Sequence, residues 1–205
     1  MHITLLDNSG TWYVDHYQKT AQEIFAQWLG EQFTVTAISV AEFTELPKNT
    51  EAVMLSGSPA NVTDAFNIEQ QDTIASHMTL THKQVYDTNA MVVQAAVTKQ
   101  LPLLGVCYGH QVLGHYFKGK VSTLETTIPL SVVSVLMTGA QLTSSQPVSH
   151  RDYVAELSAD SHLLFENTDG LVYGAIFSKQ PLMFGVQFHP ELFSQLPSQT
   201  QSVSK

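Results

Sequence analysis

One cysteine stands among 205 residues, and its neighbours are those a nucleophile needs. Leu103-Leu104-Gly105-Val106-Cys107-Tyr108-Gly109-His110-Gln111 runs an apolar stretch into Gly-x-Cys-x-Gly, the thiol counterpart of the Gly-x-Ser-x-Gly nucleophile elbow. A nucleophile must protrude from a tight turn, and glycine on both sides lets strand and helix approach without a clashing side chain. A helix starting just past Cys107 stabilises its thiolate through unpaired amides and the helix dipole. Taken alone, the pattern fits a small buried cysteine between turn glycines equally well. A second segment, Phe184-Gly185-Val186-Gln187-Phe188-His189-Pro190-Glu191, places a histidine just past an apolar strand with a carboxylate two residues on. On an extended backbone those positions share a side, so Glu191 can orient and charge-stabilise the His189 imidazole. By itself this peptide reads better as a loop histidine before a helix-starting Pro-Glu.

The elements that must position these residues alternate in the first half of the chain. Ile3–Leu6 is a short buried strand ending at Asp7-Asn8-Ser9-Gly10, and Tyr17, Ala21, Ile24, Phe25 and Trp28 give one helix over Val14–Leu29 an apolar face. Phe33–Ile38 and Ala52–Leu55 are further strands, the latter stopped by Ser56-Gly57-Ser58-Pro59. The polar stretch from Ala60 to about His82 should hold a loop and a helix. Val85–Val97 reads as a helix, Leu101–Val106 as a buried strand, and a helix follows from about His110. The second half turns β-rich, with strands at Ser131–Met137, Leu171–Phe177 and Leu182–Phe188. Together they predict an α/β fold of three layers: a mostly parallel central sheet flanked by helices, with a small antiparallel β flank. Residues 1–193 form one domain, and 194–205 form a polar C-terminal tail.

Composition narrows the function classes. Nine Lys and Arg against eighteen Asp and Glu leave a formal charge of −9, with no basic surface for nucleic acid or an anionic membrane. No apolar run approaches the roughly 20 residues that span a bilayer. A single cysteine and an N-terminus without a signal-peptide pattern suit a reducing cytoplasm. His77 and His82 lie in the polar stretch, and His110 and His115 share a helix without a carboxylate at metal-ligand spacing, so no metal site is expected. No Gly-x-Gly-x-x-Gly or Walker A pattern is present, and no cofactor is expected.

The two chemical segments together, with His189 82 positions after Cys107, resemble the class I (triad) glutamine amidotransferases, in particular the GMP-synthase-like glutaminases and γ-glutamyl peptidases. The resemblance implies the flavodoxin-like fold of that family. It implies that Cys107 attacks the side-chain amide of glutamine, that His189 passes a proton to departing ammonia, and that Glu191 holds His189. A γ-glutamyl thioester then forms and is hydrolysed. The oxyanion hole would take the backbone N–H of Tyr108 and a donor from the turn at Gly57-Ser58, where Ser58 stands in place of the family's usual second glycine. Gln111 and the segment Ser149-His150-Arg151-Asp152 match the positions that recognise the amino and carboxylate ends of glutamine. Arg151 replaces the frequent glycine, either as a solvated surface charge or as a side chain that covers or recharges the pocket.

Three functions are compatible with this resemblance. One is a free-standing glutaminase subunit that supplies ammonia to a separate synthase, with glutamine as substrate. Another is an autonomous γ-glutamyl peptidase or hydrolase, toward which the 48 residues from Pro59 to Cys107 and the Ser-Gly-Ser-Pro turn lean. The third is a non-catalytic regulatory relative, against which Cys107, His189 and Glu191 all argue.

Overall fold

The short apolar runs become the centre of one sheet in a computed structural model that describes residues 1–67, 74, 78–139 and 143–195. β1 (His2–Asp7), β2 (Thr34–Ser39), β3 (Ala52–Leu55) and β4 (Leu103–Val106) are followed by β5 (Lys120–Met137), β6 (Thr143–Glu156), β7 (His162–Asn167), β8 (Val172–Lys179) and β9 (Leu182–Val186). The strand order is β2-β1-β3-β4-β9-β8-β6-β5-β7. Its first five members are mutually parallel and the remainder antiparallel, and β7 also pairs with β8, so β5, β6, β8 and β7 close a small ring.

Helices cover both faces of the parallel part. Ile3, Leu5, Ala52 and Met54 pack with Tyr13 of α1 (Trp12–Tyr17) and with Ile24 and Phe25 of α2 (Ala21–Leu29). Leu6, Val53, Leu55 and Leu103 pack on the opposite face. There they meet α4 (His82–Thr98) and α5 (Tyr108–Tyr116), and short α3 (Val62–Ala65) lies beside them. Alternation along β1 and β3 thus feeds two cores, and each fully buried large apolar side chain contributes about 1.5–3 kcal/mol. The three-layer α/β expectation matches this arrangement.

Several boundaries differ from those expected of the sequence. The single helix expected over Val14–Leu29 is two, because Gln18 turns left-handed (φ 55°) and Thr20 opens α2 with a capping box. Thr20 accepts from the Glu23 amide at 3.2 Å while Glu23 accepts from the Thr20 amide at 2.7 Å. A matching Thr81–Gln84 box starts α4 at His82 rather than Val85. The strand expected at Ser131–Met137 begins eleven residues earlier at Lys120, and β6 and β7 have no counterpart among the expected strands. In β6 the inward positions alternate Val148, His150, Asp152, Val154, and two of these four are polar, so no hydrophobic period shows. A 3-10 helix covers Pro190–Gln195. Most of the stretch around His77, and residues 196–205 of the expected tail, lie outside the described residues. No helix among the described residues is long and apolar enough to cross a membrane.

Candidate active site

Parallel strands end on one edge, and the connections leaving that edge converge. Those after β1, β3, β4 and β9 build a pocket of about 200 Å³ lined by Ser9, Trp12, Tyr13, Gly57, Ser58, Pro59, Cys107 and His189, with Ser149 from β6.

Cys107 links β4 to α5 at φ 50° and ψ −102°, a backbone conformation that L-residues rarely adopt. The flanking glycines make this bend feasible. A Cβ on Gly105 would lie 2.5 Å from the Gly109 carbonyl group, and one on Gly109 would lie 2.7 Å from the Leu55 carbonyl oxygen. The Cys107 amide donates to the Val186 carbonyl at 2.8 Å, which ties the elbow to β9. Its sulfur faces the Ser149 carbonyl oxygen at 3.5 Å and receives the Gln187 side-chain amide at 3.6 Å.

His189 follows β9 and is fixed by its own amide, which donates to the Pro147 carbonyl at 2.7 Å. Its Nδ1 faces Glu191 Oε1 at 2.8 Å, so this nitrogen carries the hydrogen and Nε2 is left free, with the ring lining the same pocket as Cys107. The His189–Glu191 pairing was expected from an extended backbone; it is made instead by the 3-10 turn that begins at Pro190. Both side chains are buried. Burial alone would lower the His189 pKa, but negative charge at Cys107 and the Glu191 carboxylate outweigh it and hold the imidazole well above its ordinary value. Gly57 gives this ring its place, since a Cβ there would lie 2.8 Å from His189 Cε1.

Tyr108 is the first residue of α5, where a backbone N–H has no intrahelical acceptor. Its side chain points away into the core and is fully buried. The turn after β3 is braced from β1: the Asn8 amide donates to Ser56 Oγ at 2.8 Å, and Ser56 Oγ donates to the Gly57 carbonyl at 2.9 Å. Asn8 and Asn89 of α4 exchange side-chain amide bonds at 2.7 and 3.0 Å behind it. Ser58 is not among the positive-φ residues, so the missing second glycine imposes no left-handed strain. Its hydroxyl accepts from the Ala60 amide at 3.0 Å.

The remaining expected substrate contacts do not line the pocket, apart from Ser149. Gln111 is buried and donates to the Asp152 carbonyl at 2.7 Å and to Gln187 Oε1 at 3.3 Å. His150 is buried behind Ser149, with Nδ1 on the Asp152 carbonyl and Nε2 on the Tyr173 hydroxyl, each at 3.0 Å. Burial pushes the His150 pKa down to about 4, so the ring is neutral near pH 7. The Asp152 carboxylate accepts from the Thr63 amide and hydroxyl at 2.8 Å. Arg151 is neither a free surface charge nor a pocket wall: its Nη2 donates to Asp64 of α3 at 2.7 Å, with Nε 3.8 Å from Asp152. These residues support the pocket from behind because the pleat of β6 turns His150 and Asp152 inward while Arg151 reaches α3.

Ser9, Trp12, Tyr13, Pro59 and Gln187 were not anticipated. The signal that finds the first three is topological: Asp7-Asn8-Ser9 ends a parallel strand, and ligands bind outside the carboxyl ends of such strands.

Residues 13–201 match the family model described as Glutamine amidotransferase class-I. Among curated relatives, the GMP synthase (glutamine-hydrolyzing) of Caldicellulosiruptor saccharolyticus is 36% identical over 115 residues, which are 53% of this chain and 22% of that protein. The GMP synthase of Vibrio cholerae serotype O1 is 28% identical over 196 residues, 93% of this chain and 32% of that protein. The chain thus spans less than a third of the length of these relatives. A solved structure described as a GMP synthase subunit from Thermoplasma acidophilum aligns with TM-score 0.64 at 19% identity, covering 94% of this chain and 85% of that one. A glutamine amidotransferase from Thermotoga maritima aligns with TM-score 0.66 at 15% identity, covering 98% and 78%. Both likenesses establish the fold, and the family match extends over nearly the whole chain. This chain belongs to the glutamine amidotransferase class-I family.

Proposed function

We propose that the chain hydrolyses the γ-amide of glutamine through Cys107, His189 and Glu191, and that it supplies the ammonia to a separate synthase of the GMP synthase type. The observation that carries this reading is that Cys107 and a buried His189 line one small pocket, with His189 held in turn by Glu191. Charge at Cys107 and Glu191 keeps His189 protonated, so the sulfur is the nucleophile and the imidazolium the acid. Attack on the amide carbon forms the C–S bond and moves the carbonyl electron pair onto oxygen. In this reading the Tyr108 amide and the Gly57-Ser58 turn supply the donors that stabilise that oxyanion. Collapse expels ammonia, which takes the His189 proton. Water then attacks the thioester with His189 as base and releases glutamate and the thiolate. The unit performing this chemistry is residues 1–193, with 194–205 a polar tail. The GMP synthase relatives support a synthase acceptor for the ammonia.

The test is turnover by the purified chain with glutamine and with γ-glutamyl peptides, using Cys107→Ala as the blank. Cys107-dependent ammonia release from glutamine, stimulated by a separate synthase of the GMP synthase type and without peptide cleavage, is the expected result. Peptide cleavage that outpaces glutamine hydrolysis overturns the synthase reading. Turnover that persists in Cys107→Ala overturns the mechanism.

A further inference from the structure

Glu191 is fully buried, and its hydrogen bonds are unevenly placed. Among the described residues Oε2 has no partner, whereas Oε1 faces both His189 Nδ1 and the Tyr13 hydroxyl, each at 2.8 Å. Tyr13 comes from α1, 178 residues away in sequence, and only convergence at the parallel edge brings the two together. The ring is wedged edge-on against Phe25 and Trp12, with centroids at 6.2 and 5.2 Å. Its hydroxyl therefore has a fixed direction, and burial leaves no bulk water to replace it.

We propose that Tyr13 is a positioning residue: its hydroxyl holds Glu191 ionised and aligned on His189, and so sets the pH range in which Cys107 is reactive. The turnover half of this proposal rests on the glutamine-hydrolysis reading; the reactivity half does not. The groups facing this contact are Asp7 from β1, Tyr17 from α1, Cys107 from the elbow, His150 from β6 and His189 from the β9 turn. Of these, His189 is the cation held against two negative partners, so the hydroxyl dipole is a needed second source of positive potential. Burial and then the Glu191 charge raise the Tyr13 pKa well above its usual value, so the hydroxyl remains a donor throughout the working range. Removing that dipole takes one of the two contacts off Oε1, so the Glu191–His189 pair is less well held and Cys107 becomes reactive only at higher pH.

Cys107 is the chain's sole cysteine, so alkylation by iodoacetamide reports on this site alone and needs no substrate. Its rate is measured from about pH 4 to about pH 9 in the wild type, in Tyr13→Phe and in Glu191→Gln, beside kcat and KM for glutamine. Tyr13→Phe should move the acid limb of alkylation up by roughly half a pH unit or more and lower kcat by about tenfold with little change in KM. In the Glu191→Gln background the same substitution should move neither. A 2,3-difluorotyrosine at position 13, a stronger donor of nearly the same shape, should move the limb to lower pH and tests the idea even if Tyr13→Phe folds poorly. A limb that stays in place in both position-13 variants overturns the proposal, because a merely packing role changes the folded fraction and not the limb. A shifted limb in a protein that never turns over glutamine would leave the positioning role standing and remove the glutaminase reading. Turnover with an unshifted limb would do the reverse.

Discussion

The parallel half of the sheet and its antiparallel flank serve the same pocket by different means. β1, β3, β4 and β9 deliver Tyr13, Gly57, Cys107 and His189 from connections at one edge, whereas the flank contributes only Ser149 to the lining. What the flank adds is support. The Ser149 carbonyl faces the sulfur, Pro147 anchors His189, and the Asp152 carbonyl meets both the Gln111 side-chain amide and His150 Nδ1 behind the pocket. The parallel half is sealed on both faces by helices, while the flank leaves Leu130 and Met137 exposed. The candidate nucleophile and its partners thus sit where several parallel strand ends meet, and the flank backs them from behind.

Substitution at the edge should have the largest effect. Cys107→Ala should lower glutamine turnover at least about 10³-fold with the fold intact, as judged by its unfolding midpoint. Glu191→Gln should come next, with kcat about 10²- to 10⁴-fold lower and KM little changed, because an amide no longer favours the imidazolium. Equal losses in kcat and stability would instead make Glu191 a structural residue. Gly109→Ala should cost about 3 kcal/mol in denaturant unfolding, since its Cβ meets the Leu55 carbonyl at 2.7 Å and backbone cannot yield cheaply. A neutral result there would mean the elbow is looser than its packing indicates.

Acidification should sharpen the comparison, because each half buries a neutral histidine. Burial lowers His110 of α5 from 6.5 to about 3 and His150 of β6 from 6.5 to about 4. The unfolded chain binds these protons more readily, so the linked stability is complete above about 6.5 and is lost as pH falls toward the folded values. Unfolding free energy should fall by up to roughly 1.4 kcal/mol per pH unit for each ring. His110→Leu should flatten the curve down to lower pH than His150→Gln does; identical curves would remove the distinction. The smallest effect is expected on the exposed flank: Leu130→Ser should stay within about 0.5 kcal/mol with unchanged kcat. A large activity loss there would place the flank in the chemistry after all.

Local patterns were legible where one physical cause dominated. Ala52–Leu55 appears as a strand with the expected bounds because all four of its residues are buried and the Ser-Gly-Ser-Pro turn ends it. The Gly-x-Cys-x-Gly elbow was legible because its bend and close packing need those glycines in sequence. β6 was not, since its inward positions carry His150 and Asp152, whose partners Tyr173 and Thr63 come from elsewhere in the chain. The split between α1 and α2 was written in Thr20 and Glu23, but the apolar period running across it concealed the break.

The sequence by itself therefore determined the elbow, the alternation that makes a three-layer α/β fold, and the His-Pro-Glu segment, all of which depend on neighbours a few residues apart. Only the tertiary structure decided that Tyr13 reaches Glu191, that Gln187 reaches Cys107, and that Arg151 turns to Asp64. Those contacts span from 80 to 178 residues, and their partners are chosen by the order of parallel strands and the side on which they end. No local propensity encodes that order; it follows from which apolar faces can be buried together once the whole chain has folded.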